Sequence, residues 1–494
     1  MNGTIVIEQN FIFFLLLVSP FIFFIFKYLR SQTLPPGPFP WPIIGSILHV
    51  GDNPHVSLAK LAQTHGPIIS LRLGAQLLVV GSTPAAAAEI LKAHDRVLSG
   101  RAMPNASPYK NPAGRQFSLA WADCTDQRKY LHTICRSELF SIKAIESQSN
   151  LREEKISKLI EFLGRKEGEL VNIGDVVFAT VFNTLSNIFV SQDFITLEGH
   201  KDGDGMKELV RSFVVAGATP NLADFYPILS SFDLQGLRKK SIGLFAKICS
   251  LWESIIKERR QDKSSGVLKR HTDFLDILLA NGFTDDQMNV LLLELLLAGA
   301  DTTTSTTEWA MAELLKNEKV MKNVCKEFER EIKEDVVRES DLPHLPYLHS
   351  CVKEALRIHP PAPFLLPRRA IETCKVMNYT IPKDSQVFVN VWAIGRDPKI
   401  WDDPLAFKPE RFLDSKVELH SNDFGWIPFG SGRRMCPGIP MATKQLGFVL
   451  ASLIKSFDWS LPYDMNPSEL DMAEKFGITL QKEKPLVLIP RVKQ

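Results

Sequence analysis

A chain of 494 residues with 45% apolar and 23% charged residues, and with 58 Lys and Arg against 56 Asp and Glu for a formal charge of +2, has the composition of a globular protein. It excludes disorder, collagen-like repeats and a general polyanion-binding surface, so nucleic acid is not an expected partner. Seven cysteines without paired spacing leave no support for a disulfide framework or a zinc ribbon.

In chain order the first element is residues 11–26, FIFFLLLVSPFIFFIF, an uncharged run that as a helix would span about 24 Å. Asn10 and Gln9 extend it to the lower edge of the spanning range. Lys27 and Arg30 follow it and Glu8 is the only charged side chain ahead of it, so the positive-inside rule expects a single-pass membrane helix with the remaining chain in the cytosol. A cleaved secretory signal is the alternative, but a basic n-region and a small-x-small cleavage site are both lacking. Five prolines between Pro35 and Pro42 then fix φ repeatedly and bar helix, giving a stiff spacer. A proline-rich binding motif is the other reading of that segment. The expected division is an anchor at 1–30, a hinge at 31–42 and one large domain at 43–494.

Within the body, 68–73 and 77–80 around Gly74 read as a hairpin and 387–391 as a further strand. Helical periodicity dominates elsewhere: 151–163, 209–216, 244–259 and 285–316, with a charged surface loop at 261–271. The last helix opens on Thr284 with Gln287 three residues on, a capping box, and would reach roughly 48 Å. Its middle, AGADTTTSTT at 298–307, is small and polar where a buried helix should be apolar, so it faces either a cavity or a network of partners.

Phe429, Gly432, Arg434, Cys436 and Gly438 in FGSGRRMCPG form F-x-x-G-x-R-x-C-x-G, a pattern that arises by chance in such a chain on the order of once in ten thousand. On this motif the chain resembles the cytochrome P450 superfamily. The resemblance implies a mainly α fold with a minor β region, a single haem-binding domain behind an N-terminal transmembrane helix. It implies haem b with Cys436 as axial thiolate ligand of the iron, Phe429 shielding the sulfur and Arg434 pairing with a propionate. Gly432 and Gly438 would let the backbone approach the macrocycle, and amides opening the following helix would stabilise the thiolate.

Other motifs take their meaning from that one. Glu354 and Arg357, three apart on one helix face, and Arg411 in PERF resemble the family's buried structural network. AGADTT resembles the oxygen-activation motif, implying that Thr302 hydrogen-bonds dioxygen, Asp301 relays protons and Gly299 leaves space beside the haem; Thr302 bonding back to the carbonyl of Ala298 is the alternative. One departure stands out: where the family carries W-x-x-x-R, with both residues on propionates, this chain has Arg128 and His132. Arg368, or its neighbour Arg369, resembles a further propionate position.

No G-x-G-x-x-G follows a strand, so electrons from NADPH must arrive through another protein, which the resemblance implies is NADPH–cytochrome P450 reductase, docked on Arg128, Lys129, Arg136, Arg433 and Lys444 or with those residues merely solvated. LPPGPFPWPIIG and ELFSIKAIESQSNLREEK resemble plant microsomal members, nearest the alkaloid-modifying group of N-methylcoclaurine 3′-hydroxylases and littorine mutase, with geraniol-type hydroxylases next. The expectation is a monooxygenase of the endoplasmic reticulum membrane that acts on a small, partly hydrophobic molecule with O₂. Rearrangement or phenol coupling on the same scaffold, terpenoid hydroxylation and ligand binding without turnover are the alternatives. By family arrangement substrate meets residues 101–120, 214–216, 296–303, 362–366 and 476–478. Glu294 and Asp301 are the carboxylates nearest to where an amine would sit.

Overall fold

The computed structural model describes residues 33–109, 115–198, 204–265, 273–413 and 424–493. The expected anchor at 1–30 therefore lies outside the described residues. From Pro35 the chain is extended along the first hairpin: the carbonyls of Pro35 and Pro36 accept from the Ser70 hydroxyl at 2.6 Å and amide at 2.9 Å. Proline suits this position because the segment supplies acceptors only.

The hairpin forms from β1 (Ile68–Leu73) and β2 (Gln76–Gly81), antiparallel with Ile68 opposite Gly81. Three later pieces complete its sheet: β3 (Gly100–Arg101), β4 (Arg368–Arg369) and β5 (Gln386–Val389), in the order β1-β2-β5-β4-β3. β5 stops at Val389, short of the expected strand end, because the Asn390 side chain accepts from the Ala393 amide and starts a short helix. Through β3 and β4 this sheet carries Arg101 and Arg368 side by side in register, a pairing that matters below.

The helices that build the rest are α1 (Asp126–Glu138), α2 (Ser149–Arg165), α3 (Ile173–Val190), α4 (Asp204–Ala218), α5 (Leu237–Ser265), α6 (Asp285–Lys316), α7 (Pro346–Ile358) and α8 (Ile439–Ser456). The fold is mainly helical. α6 has the bounds and the reciprocal Thr284–Gln287 capping box that the sequence dictates. It is flanked by α3, α7 and α8, and Leu291 to Leu293 and Trp309 to Ala312 along it are buried. α3 is apolar and long enough to cross a membrane, yet most of it is buried in this core against α6. The loop expected from 261 begins later, since α5 continues to Ser265; 266–272 lie outside the described residues.

α7 ends in a buried ionic network. Glu354 and Arg357, both with fully buried side chains, make a bidentate pair with both N···O distances 2.7 Å. Arg357 spends its other donors on the carbonyls of Gly395, Pro404 and Ala406. Arg411 Nε and the Lys408 amide both donate to Glu354 Oε1, at 3.2 and 2.9 Å. One ion pair thus ties α7 to the loop at 395–411. Removing one partner leaves a buried uncompensated charge, so Glu354→Ala is expected to cost about 3–5 kcal/mol, read as a lowered urea midpoint and a lowered yield of folded protein.

Candidate functional site

The loop that carries Cys436 is shaped by its own backbone. Gly432 sits at φ +72°, and a Cβ there would lie 2.3 Å from the carbonyl oxygen of Leu91. Glycine is required here by this left-handed turn and by close approach to residues 91–95. Asp95 accepts from the Arg433 amide at 3.0 Å. The Cys436 amide then donates to the Phe429 carbonyl at 3.0 Å and closes the loop with the Phe429 ring packed on the main core. Burial pushes the Cys436 thiol up, and a hydrogen bond from the Gly438 amide, at the N-cap of α8, opposes this. The sulfur is thus held where a thiolate would be favoured by the opening of a helix.

Beside this loop four arginines converge from four elements: Arg101 on β3, Arg128 on α1, Arg368 on β4 and Arg434. All four are buried. Burial is the main cause pulling their pKa values down; at Arg101 and Arg434 the neighbouring guanidiniums add to it, leaving Arg434 at about 10. Their hydrogen bonds go chiefly to carbonyls: Arg434 to Ser99 and Ala122, Arg101 to Ala120 and Leu366, Arg128 to Leu119. Among the described residues only Arg368 meets a carboxylate, Asp95 at 3.5 Å, and Arg434 Nη1 is buried with no partner. Buried like charges with an orphaned donor call for anions from outside the chain. A group with two carboxylates beside a thiolate-binding metal fits this donor set.

The middle of α6 is less covered than the stretches on either side of it. Ala298 is exposed while Leu296 and Ala300 on either side are buried, so its free surface belongs to an interior space. Thr302 lies one turn on and donates to the Ala298 carbonyl at 2.7 Å, the alternative that the sequence left open. Asp301 points elsewhere: Oδ2 accepts from the Thr479 hydroxyl and Oδ1 from Gln481 Nε2 at 3.2 Å, and burial raises its pKa. Gly299 is turned away as well. A Cβ on it would lie 2.6 Å from Leu185 Cδ1, so its smallness serves the packing of α3 on α6. The polar run therefore splits, Ala298 and Thr302 lining the cavity while Asp301 and Ser305 hold residues 479–480.

His132, one turn after Arg128 on α1, is half-buried. Burial, then Arg128 and Arg136, push its pKa down, so it is neutral at pH 7 and adds no charge to the cluster. Of the expected docking face Arg128 is turned inward, Lys444 pairs with Glu339 at 2.9 Å, and Lys129, Arg136 and Arg433 are exposed, Lys129 paired with Asp126 at 2.7 Å and Arg433 with Asp95 at 3.5 Å. Gly217 of α4, next to the expected segment 214–216, approaches the segment 476–478, since a Cβ on it would lie 3.2 Å from Ile478 Cδ1. Phe364 and Phe476 join the expected segments 362–366 and 476–478, their ring centroids 5.8 Å apart. The sequence reading missed Arg101 as part of the arginine cluster; its only signal was its place at the start of a presumed substrate loop.

Comparison with known proteins places the family. The model of the cytochrome P450 family matches residues 35–489. A probable (S)-N-methylcoclaurine 3′-hydroxylase isozyme 2 of Coptis japonica is 49% identical over 470 residues, covering 95% of each chain. Corytuberine synthase of the same species is 46% identical, covering 97% of this chain and 96% of its own. Geraniol 8-hydroxylase of Catharanthus roseus is 42% identical over 94% and 96%.

Gly432→Ala would need a strained φ, costing about 1–3 kcal/mol, and would also press on the Leu91 carbonyl. The expected outcome is a loss of bound haem per chain, measured as the ratio of Soret to protein absorbance, with the helical circular dichroism retained.

Proposed function

Since this chain belongs to the cytochrome P450 family of monooxygenases, we propose that it oxidises a small, partly hydrophobic plant specialised metabolite of the alkaloid class, using O₂ and electrons passed from NADPH by a reductase. The observation that carries this reading is the arginine cluster facing the cysteine loop beneath the open middle of α6. Cys436 would hold the haem iron, Phe429 and Gly438 would flank the sulfur, and Arg101, Arg128, Arg368 and Arg434 would receive the propionates. Bound there, a haem-thiolate supplies the oxidant from O₂ and two electrons.

The chain's own part is to position and to move protons. Thr302 Oγ1 on the cavity wall keeps its lone pairs free while donating to Ala298, and rotation about χ1 would turn that proton inward. Asp301, its pKa raised by burial, can hold a proton and is one residue away, steadied by Thr479 and Gln481. The segments expected to meet substrate, 214–216, 362–366 and 476–478, are apolar, which would suit a medium-sized, partly hydrophobic substrate.

Membrane association at the endoplasmic reticulum, with the catalytic domain cytosolic, is supported from two sides. Residues 11–26 form an uncharged apolar run, and beside the proline-rich segment the fold exposes Trp41, Ile43 (83%) and Leu48 together with Ile228 (84%), Phe232 and Leu234. These two stretches are joined by a hydrogen bond from the Tyr226 hydroxyl to the Ile43 carbonyl, so they make one exposed apolar face. Lys129, Arg136 and Arg433 would meet the acidic surface of the reductase.

The ferrous-CO difference spectrum of the full-length protein tests the reading first. A red-shifted thiolate-type Soret band is expected, and Cys436→Ser is expected to abolish it. In assays with reductase, NADPH and N-methylcoclaurine under labelled O₂, hydroxylation leaves one labelled oxygen in the product, whereas coupling leaves none. Thr302→Ala is expected to lower product formed per NADPH consumed by tenfold or more while NADPH consumption continues, and Thr302→Ser to restore most of it.

A further inference from the structure

Around Glu474 lies a largely buried group of ionisable side chains that the proposed reaction does not use. Glu474 sits on β6 (Glu474–Lys475), which pairs antiparallel with β7 (Gln481–Lys482). Its carboxylate accepts from His55 Nε2 and Trp392 Nε1, both at 2.9 Å from Oε2, and from His359 Nδ1 at 3.1 Å and Arg396 Nη2 at 2.7 Å on Oε1. All of its lone-pair positions are then taken. Burial would raise its pKa, but the bonds from His359 and His55 and the charge of Arg396 hold it well below the usual carboxylate range.

The two histidines differ. His55 is fully buried and its Nδ1 has no partner, so a charged ring would bury an orphan donor, whereas the neutral ring with its proton on Nε2 is satisfied at Glu474. His359 has a carboxylate oxygen at each ring nitrogen, Glu474 Oε1 at Nδ1 and Glu313 Oε1 at Nε2, the latter 2.8 Å away. A neutral imidazole has one N–H and one lone pair, and that lone pair would face a carboxylate oxygen. One further proton is therefore shared between His359 and Glu313, whose other oxygen accepts from Asn317 Nδ2 at 3.2 Å. Imidazole is the stronger base of the two by about two pK units. The ring also lies flat on the Trp309 indole, 3.8 Å between centroids and 5° between planes, a position that favours a cation.

The neighbouring cations do not replace that charge. Arg396, stacked on Trp392, is bonded to Glu474 and to the Ile358 carbonyl, and so balances one carboxylate. Lys482 gives its ammonium to the Asp471 carbonyl, and Glu308 and Asp471 act on it more strongly than Glu313 does. Glu313 is left to His359. At the other end of the same hairpin, Thr479 and Gln481 donate to the Asp301 carboxylate, and Ser305 Oγ and Trp309 Nε1 donate to the Leu480 carbonyl at 2.7 and 3.1 Å.

We infer that His359 is a buried imidazolium bridging Glu313 of α6 to Glu474 of β6, a positioning residue that clamps the hairpin onto α6 and so aims Thr479 and Gln481 at the Asp301 carboxyl. The second half of this inference rests on the proton role proposed for Asp301. A glutamine at 359 would keep polar contacts but leave one carboxylate buried without a counter-charge, which loosens the hairpin.

The test uses the full-length haem-loaded protein in lipid nanodiscs, in the diamagnetic ferrous-CO state, with isotope-labelled histidine and glutamate. Solid-state NMR identifies His359, without any variant, as the ring with a glutamate carboxyl at each nitrogen. Both nitrogens are expected to be protonated at neutral pH, and one unprotonated nitrogen would overturn the imidazolium. Hydrogen exchange of the amides at 474–482 is expected to rise about tenfold in His359→Gln and to return most of the way in Glu313→Gln/His359→Gln, where the unpaired charge is gone. Unchanged exchange in His359→Gln would overturn the clamp, and no recovery in the double variant would overturn the charge assignment.

In the reductase assay His359→Gln is expected to lower product formed per NADPH consumed and to add nothing to the loss caused by Asp301→Asn. Additive losses would sink the positioning role. No product from the wild type would remove the proposed reaction and leave the NMR and exchange results to decide this inference. Product together with a hairpin unaffected by His359→Gln would do the reverse.

Discussion

Four buried guanidiniums that repel one another, with a single carboxylate between them, are a configuration no chain folds into for its own stability. Arg101, Arg128, Arg368 and Arg434 each come from a different element, and their donors go to carbonyls because counter-charges are scarce. The sheet edge brings Arg101 and Arg368 into register, α1 brings Arg128 and the cysteine loop brings Arg434. Each of those elements is anchored elsewhere by ordinary packing. The cluster is therefore a cost spread over the scaffold, of the kind that a bound anion would offset.

The helix α6 is the other half of that arrangement. The stretches on either side of its middle, Leu291 to Leu293 and Trp309 to Ala312, are apolar and buried, so its position follows from core packing. Its middle can then be used differently on each face. Gly299 lets α3 approach closely, Asp301 and Ser305 hold the turn at 479–480, and Ala298 and Thr302 line the cavity. Glu294 lies on the same helix face as Ala298 and Thr302 and ties the helix to the loop at 118–120. A single helix thus carries each of these side chains with the rigidity of a continuous backbone ladder.

The departure at Arg128 and His132 changes how charge is supplied to this face. An arginine at position 128 contributes a buried charge that acts on Arg101 and Arg434. Burial and the neighbouring Arg128 and Arg136 disfavour the charged form of His132.

Much of this protein was legible from residues that are neighbours in the chain. The capping box and bounds of α6, the hairpin of β1 and β2, the mainly helical class and the cysteine motif all follow from patterns within a few residues, where local propensity and periodicity act. The interactions that give the cavity its chemistry are of another kind. Gly299 meets Leu185, Asp301 meets Thr479, Glu294 meets Ser118, and Arg101 stands beside Arg368, each pair more than a hundred residues apart in the chain. No periodicity encodes which of several arginines will be buried without a partner, or whether a glycine faces a helix or a void. Only the packing of distant elements determines that, because burial and like-charge proximity are properties of the folded interior.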